Sequence, residues 1–215
     1  MKGMISPSMM CANFFDLKSD IRLFERLDIE YLHVDIMDGR FVPNFTLGTD
    51  YVKKLKSFTN IPVDIHLMIE RPEDKLDWFC FSENDIVSFH YEATNHVHRV
   101  IQRIKSRGAK AFLALCPATP LCVLEDSMPD LDGVLIMTVN PGFAGQELVE
   151  QTIDKIARLR DMYPNTIIEV DGNVSFENAV KMRTAGANIY VAGSSSVFIN
   201  GDIEANTQKL RNCIT

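Results

Sequence analysis

The sequence predicts an α/β fold, a single (β/α)8 TIM barrel over residues 1–215, and three observations predict it. Short apolar runs recur along the 215-residue chain, amphipathic stretches separate them, and no linker, low-complexity tract or charge block divides them. At 46% hydrophobic and 24% charged residues, the composition supplies one sizeable buried core.

Eight runs read as strands: Met4 to Met9, Tyr31 to Met37, Ile61 to Met68, Ile86 to Phe89, Ala111 to Leu115, Gly133 to Val139, Thr166 to Val170 and Ile189 to Ala192. Several are rich in Val and Ile, as strands buried on both faces tend to be. Between them, helical periodicity appears in Leu17, Ile21, Phe24 and Leu27, in Val97, Val100, Ile101 and Ile104, and in Ile153, Ile156 and Leu159. Each set would lay an apolar stripe on the sheet. Ser175 is placed as a helix cap, Gly108 and Gly186 follow helical stretches, and Pro62 precedes a strand. Eight βα units in one domain point to a closed barrel. An open doubly wound sheet competes, but Ser6-Pro7-Ser8 stands where a dinucleotide fold would place its glycines.

A formal charge of −7 leaves no basic face for nucleic acid or an anionic membrane. The N-terminal stretch MKGMISPSMMCANF has one Lys and no apolar core, and no run approaches the ~20 apolar residues of a membrane span. The five cysteines, Cys11, Cys80, Cys116, Cys122 and Cys213, are scattered and without CxxC spacing, so neither a disulfide framework nor a thiolate zinc site is indicated. These features predict a soluble cytoplasmic protein with no nucleic-acid or membrane partner. A small anionic ligand would need local binding devices.

The chemistry concentrates on the strands. His33 and Asp35 lie two residues apart, so both side chains leave the strand on one face, and in a barrel that face points inward. Buried in an apolar strand, such groups are costly unless they pair or hold a cation; for this segment alone a structural His–Asp hydrogen bond serves as well. The third run repeats the pattern as Asp64-Ile-His66-Leu-Met68, and the seventh ends Glu169-Val-Asp171-Gly172. Two imidazoles and two carboxylates converging from three strands make a nest for one divalent metal ion, Zn, Mn, Fe or Co.

A second device follows the sixth run. The two glycines of Asn140-Pro-Gly142-Phe143-Ala144-Gly145-Gln146 free backbone N–H groups to curl around an oxyanion, although a Pro-Gly pair also makes an ordinary turn. Gly193-Ser194-Ser195-Ser196 follows the eighth run, and loops at that end of barrels often bind phosphate. Together they point to a phosphate clamp of backbone amides.

Five segments carry a family resemblance: Ile5-Ser-Pro-Ser-Met9, His33 to Asn44, His66-Leu-Met68, Met137 to Gln146 and Glu169-Val-Asp-Gly172. The chain resembles the ribulose-phosphate 3-epimerase family, with its D-allulose-6-phosphate 3-epimerase branch, along nearly its whole length. The resemblance implies an isomerase of carbohydrate metabolism and the pentose phosphate pathway. It implies that His33, Asp35, His66 and Asp171 hold the metal, with Asp35 and Asp171 also the acid/base pair, and that Ser8 and His66 contact the substrate. Phosphate would sit at Gly142, Phe143, Ala144, Gly145, Gly172, Asn173, Gly193 and Ser194. Met37, Met68 and Met137 would wall the reacting carbons, although methionines at such places also serve as core filler. A homo-oligomer, dimer or hexamer, accords with the family.

Some positions depart from the family pattern. Asn173 replaces a second glycine after the catalytic Asp, Ala144 replaces the middle glycine of Gly-Phe-Gly-Gly as in the allulose-phosphate branch, Cys116 stands where Asn is commoner, and Gly48-Thr49 lacks a proline. The expected reaction is ribulose 5-phosphate to xylulose 5-phosphate through an enediolate, which needs a base on one face, an acid on the other and charge stabilisation at oxygen. Alternatives are allulose 6-phosphate to fructose 6-phosphate and a non-catalytic sugar-phosphate-binding barrel. Metal-dependent hydrolysis would use the same ligands with a bound water, while an aldolase would need an interior strand lysine, absent from the eight runs. His90 with Glu92 fits either a place behind a ligand or a satisfied core histidine. His96 and His98 read as surface, and Trp78, Phe79 and Phe81 as packing for a helix or subunit contact.

Overall fold

The apolar runs form strands β1 (Met4–Pro7), β2 (Leu32–Asp38), a two-residue β3 (Phe45–Thr46), β4 (Val63–Met68), β5 (Ile86–His90), β6 (Lys110–Leu115), β7 (Gly133–Met137), β8 (Ile167–Asp171) and β9 (Ile189–Ala192). They are seen in a computed structural model that describes residues 3–215; Met1 and Lys2, the lysine of the N-terminal stretch, lie outside the described residues. The sheet runs β1-β9-β8-β7-β6-β5-β4-β2-β3, parallel throughout except where β3 folds back antiparallel on the end of β2. A parallel bridge between Ser8 and His33 joins the two free flanks and closes the cylinder.

Among the described residues six α-helices cover it: α1 (Leu17–Arg26), α2 (Thr49–Phe58), α3 (Val97–Lys105), α4 (Gln151–Met162), α5 (Phe176–Ala185) and α6 (Ile203–Ile214). The apolar stripes face the sheet, with Ile21 and Phe24 of α1 and Val100, Ile101 and Ile104 of α3 buried. Ser175 caps α5 by accepting from the Asn178 N–H, and Gly186 ends it at φ 107°. No helix among the described residues is long and apolar enough to cross a membrane.

Eight full βα units were expected, and two crossovers correct this. Between β4 and β5 stand 3-10 turns at Pro72–Asp74 and Leu76–Trp78, and between β6 and β7 others at Leu121–Leu124 and Met128–Asp130. Proline lacks the N–H a helix interior needs, and in the second crossover Pro117, Pro120 and Pro129 leave no room for a long helix; in the first, Pro72 opens its turn at a position where proline is tolerated and does not account for the missing helix. Phe79 and Phe81 are buried in the first of these crossovers while Trp78 is exposed. Strand ends also move: the first run breaks at Pro7, Val139 lies past β7, and β6 begins at Lys110. Lys110 donates to the Tyr31 hydroxyl at the end where strands start, away from the ends of β2, β4 and β8.

Inward-facing residues stack in layers. At the start of the strands Tyr31, Ile86, Phe112 and Ile189 pack with Met4 and Ile167 into an apolar plug. Gly133 leaves the slot for the Phe112 ring, whose Cζ would lie 2.4 Å from a Cβ there. Two residues further on come Ser6, His33, Asp64 and Glu169, all fully buried. Beyond them the strands end in the candidate site.

Candidate active site

Period-two alternation delivers the site. In β2 His33, Asp35 and Met37 share the inner face, in β4 Asp64, His66 and Met68, and in β8 Glu169 and Asp171; Asp35 stands opposite His66 in the register. Asp35 Oδ1 lies 3.2 Å from His33 Nε2 and 3.3 Å from His66 Nδ1, and Asp171 Oδ2 lies 3.5 Å from His66 Nδ1 and 3.9 Å from His33 Nε2. Around a tetrahedral ion with nitrogen and oxygen ligands at ~2.0–2.1 Å, neighbouring ligand atoms stand about 3.3–3.4 Å apart. The buried His66 Nδ1 has no hydrogen-bond partner, as a metal-ligating nitrogen requires. The donor set fits a divalent ion.

A further layer of groups fixes these ligands. Asp64 Oδ2 accepts from His33 Nδ1 at 2.6 Å and from Ser6 Oγ at 3.0 Å. This leaves His33 Nε2 turned towards Asp35 and Asp171. Ser8 Oγ donates to Asp35 Oδ2 at 2.9 Å. His66 Nε2 stands 2.9 Å from His90 Nε2, and His90 Nδ1 faces Glu92 Oε2 at 3.3 Å.

The charges are uneven. Burial pushes the Asp35 carboxyl up, but the adjacent charge and hydrogen bond of His33, with the His66 ring close by, outweigh it and hold the group well below the usual range. Burial and the Asp64 charge drive the Glu169 carboxyl well above its ordinary range, while the charge and hydrogen bond of His33 outweigh burial and hold Asp64 below its own. Burial would make His33 less basic, yet Asp64 and Asp35 raise it well above normal.

Above the quartet opens a cleft of about 250 Å³. Asp35 and Asp171 form its floor, with Met37, Met68 and Met137 beside them and Ser8 at one flank. Gly142, Phe143, Ala144, Gly145, Gly172, Asn173, Gly193 and Ser194 line the remainder. His33 and His66 lie beneath, fully buried. Every residue expected at the site is therefore brought to one place.

The glycine-rich side is locally enforced. Gly172 adopts φ +118°, and a Cβ there would fall 2.5 Å from Val139 Cγ2 and 2.8 Å from its nitrogen, so only glycine fits. Gln146 Nε2 donates to the carbonyls of Asn140 and Phe143, closing the loop on itself. Asn173, in the left-handed region at φ 45°, donates to the Gln146 carbonyl at 2.7 Å and is held by Asn178. The residue that departs from the family glycine thus ties the two loops together.

The sequence reading gave no role to Ser6, Asp64 and Glu169. Their signal was the period that exposed the ligands, since each stands two residues before Ser8, His66 or Asp171. His90 resolves as a buried residue against a proposed ligand, and His96 and His98 are exposed. Gln146 and Asn178 had no such signal, because loop hydrogen bonds follow no period.

Residues 4–198 match the sequence profile of the Ribulose-phosphate 3 epimerase family. The chain is 47% identical to the chloroplastic ribulose-5-phosphate-3-epimerase of Arabidopsis thaliana, over 89% of this chain and 70% of that protein. It is 43% identical to the ribulose-phosphate 3-epimerase of Bacillus subtilis (89% and 90% covered) and 37% identical to that of Escherichia coli (97% and 94%). Among solved structures, 3-hexulose-6-phosphate synthase from Salmonella typhimurium superposes with a TM-score of 0.67 at 13% identity, covering 98% of each chain. A mutant tryptophan synthase α-subunit from Pyrococcus furiosus gives 0.66 at 16% identity, covering 99% of this chain and 98% of that one. At these identities the two structures speak for the barrel alone. A closed parallel barrel, a profile match across all its strands and close relatives agree: the chain belongs to the ribulose-phosphate 3-epimerase family of isomerases.

Proposed function

We propose that this chain interconverts ribulose 5-phosphate and xylulose 5-phosphate by moving a proton at C3 between Asp35 and Asp171. The observation that carries the reading is the meeting of these carboxyls, from β2 and β8, with His33 and His66 on the floor of one cleft. Inverting a carbon next to a ketone requires a base on one face of a planar enediolate and an acid on the other. One aspartate takes the C3 proton, the other returns a proton to the opposite face, and the roles exchange with direction. Ser8, hydrogen-bonded to Asp35 Oδ2, keeps that carboxylate turned towards the cleft.

A divalent ion, Zn, Mn, Fe or Co, held by His33, Asp35, His66 and Asp171, supplies Lewis-acid stabilisation of the negative charge that develops on oxygen. The N–H groups of Gly142 to Gly145, Gly172 and Asn173, and Gly193 and Ser194, hold the phosphate and so place C3 between the aspartates. Met37, Met68 and Met137 offer no acidic proton and shield the carbanion from water. The surface charge and the family accord with a cytoplasmic homo-oligomer without nucleic-acid or membrane partners.

The test is deuterium incorporation at C3 by NMR in heavy water, with metal-loaded protein offered ribulose 5-phosphate and allulose 6-phosphate in parallel and Asp35→Asn as control. Exchange with product formation on the pentulose, lost in the variant, is expected. Turnover of allulose 6-phosphate alone would reassign the substrate, and silence on both would overturn epimerisation.

A further inference from the structure

The two imidazoles of the quartet are backed by different chemistry. His33 Nδ1 meets a carboxylate, Asp64, whereas His66 Nε2 meets another imidazole nitrogen, His90 Nε2, at 2.9 Å. Two ring nitrogens at that distance need one proton between them, and its owner decides which atoms remain free to ligate. If His66 Nδ1 is the ligand, its Nε2 carries hydrogen and donates to His90 Nε2. His90 then carries its own hydrogen on Nδ1, which faces Glu92 Oε2 at 3.3 Å with Cys116 Sγ at 3.5 Å.

Glu92 is itself pinned. Its Oε1 accepts from the Cys116 N–H at 2.9 Å and from the Thr119 hydroxyl. The turn that carries both donors is held by Lys155 of α4, whose ammonium donates to the carbonyls of Cys116, Pro117 and Thr119 at 3.1, 2.5 and 2.8 Å. The rings of His66 and His90 are inclined by only 26° with centroids 5.0 Å apart, the spacing of two rings joined edge to edge through their nitrogens, and the His90 ring also packs on Phe41. Polar contacts therefore run unbroken from α4 to the quartet.

We propose that His90 and Glu92 are positioning residues that fix the tautomer and orientation of His66, so that Nδ1 presents its lone pair to the metal. This rests on His66 being a ligand. The grouping of His90, Glu92 and Cys116, whose ligand atoms lie within 4.8 Å of one another, looks like a second metal site. The shared proton argues against double occupancy. An ion on His90 Nδ1 would leave the hydrogen on His90 Nε2, pointing at His66 Nε2, and would force the His66 hydrogen onto Nδ1, where the quartet needs a lone pair. Outer partners of ligating histidines typically contribute ~10–100-fold to metal affinity.

The experiment uses the full chain with Zn for NMR and Co for titration. Long-range 1H–15N spectra of the Zn-loaded wild type are expected to show His90 as the Nδ1–H tautomer, bound at one ion per chain. The Nε2–H tautomer, or two ions per chain with His90 ligated, would overturn the proposal. Competition titration with a chelator is expected to show Co affinity lowered ~10–100-fold in His90→Leu and in the rim variant Glu92→Gln, with recovery in His90→Gln, whose amide oxygen reaches the place of Nε2. Wild-type affinity in both His90→Leu and Glu92→Gln would sink the positioning role while leaving the quartet intact. Failure of the wild type to bind either ion would remove the quartet itself and the proposal with it.

Discussion

At the end of the barrel where strands begin, Met4, Tyr31, Ile86, Phe112, Ile167 and Ile189 close the interior with a mostly apolar layer; at the other end β2, β4, β5 and β8 present Asp35, His66, His90 and Asp171. Three pairs come from one stretch of chain and one alternation, four residues apart: Tyr31 and Asp35, Ile86 and His90, and Ile167 and Asp171. The first end needs only volume, and Gly133 yields its side chain so that Phe112 fits. At the second end burial is costly unless every polar atom finds a partner. Partners accordingly accumulate, from Ser8 on Asp35 to His90 on His66. One end holds the barrel together, and the other spends that stability on chemistry.

The contrast can be tested by variants at each end. The largest effect is expected for Asp171→Asn, which keeps the shape but removes a proton carrier and weakens a metal ligand: kcat/KM should fall by ~10²–10⁴-fold with the thermal midpoint of the metal-free protein little changed. A midpoint that collapses with the activity would make Asp171 a structural group like those below it. Phe112→Ala should do the reverse. Urea unfolding is expected to show a loss of about 3–5 kcal/mol, while the kcat of the folded fraction stays at the wild-type value.

Stripping divalent ions with a chelator should abolish turnover and lower the melting temperature. Restoring an ion at 100 times its Kd should return about 2.7 kcal/mol of stability by linkage. A metal-free protein that keeps both activity and melting temperature would mean the quartet is only a hydrogen-bonded cluster. The smallest effect is expected for Asn173→Gly, which cuts the tie between the two loops. Losing a hydrogen bond worth about 0.5–1.5 kcal/mol should raise KM about 2–10-fold with kcat nearly constant, as steady-state kinetics would show. An unchanged KM would show that the loop holds its form without the tie.

How much was legible follows from how local each signal is. His33 and Asp35, or Asp64 and His66, could be placed on one inward face because the strand period of two is a property of the backbone. Gly172 was expected only through the family resemblance, and the structure gives the reason for a glycine there, a positive φ in contact with Val139. The crossovers after β4 and β6 were harder to read. Apolar runs separated by amphipathic stretches predict a helix in every crossover, and that expectation gives no weight to the prolines that limit the one after β6 to 3-10 turns. Glu92 was picked out two residues after His90, but Thr119 and Lys155 had no periodic signal at all, since their contact depends on how far two loops and α4 reach around the rim.

The sequence alone determined the eight strands, which of their faces point inward and the residue types gathered there, because these follow from alternation and from the cost of burying charge. Only the tertiary structure decided the rest: that the Ser8–His33 bridge closes the sheet, that Glu169 is buried beside Asp64, whose charge makes it a weaker acid, and that His66 leans on His90 while His33 leans on Asp64. These depend on distances between strands far apart in the chain, which closing the barrel brings to within a hydrogen bond of one another.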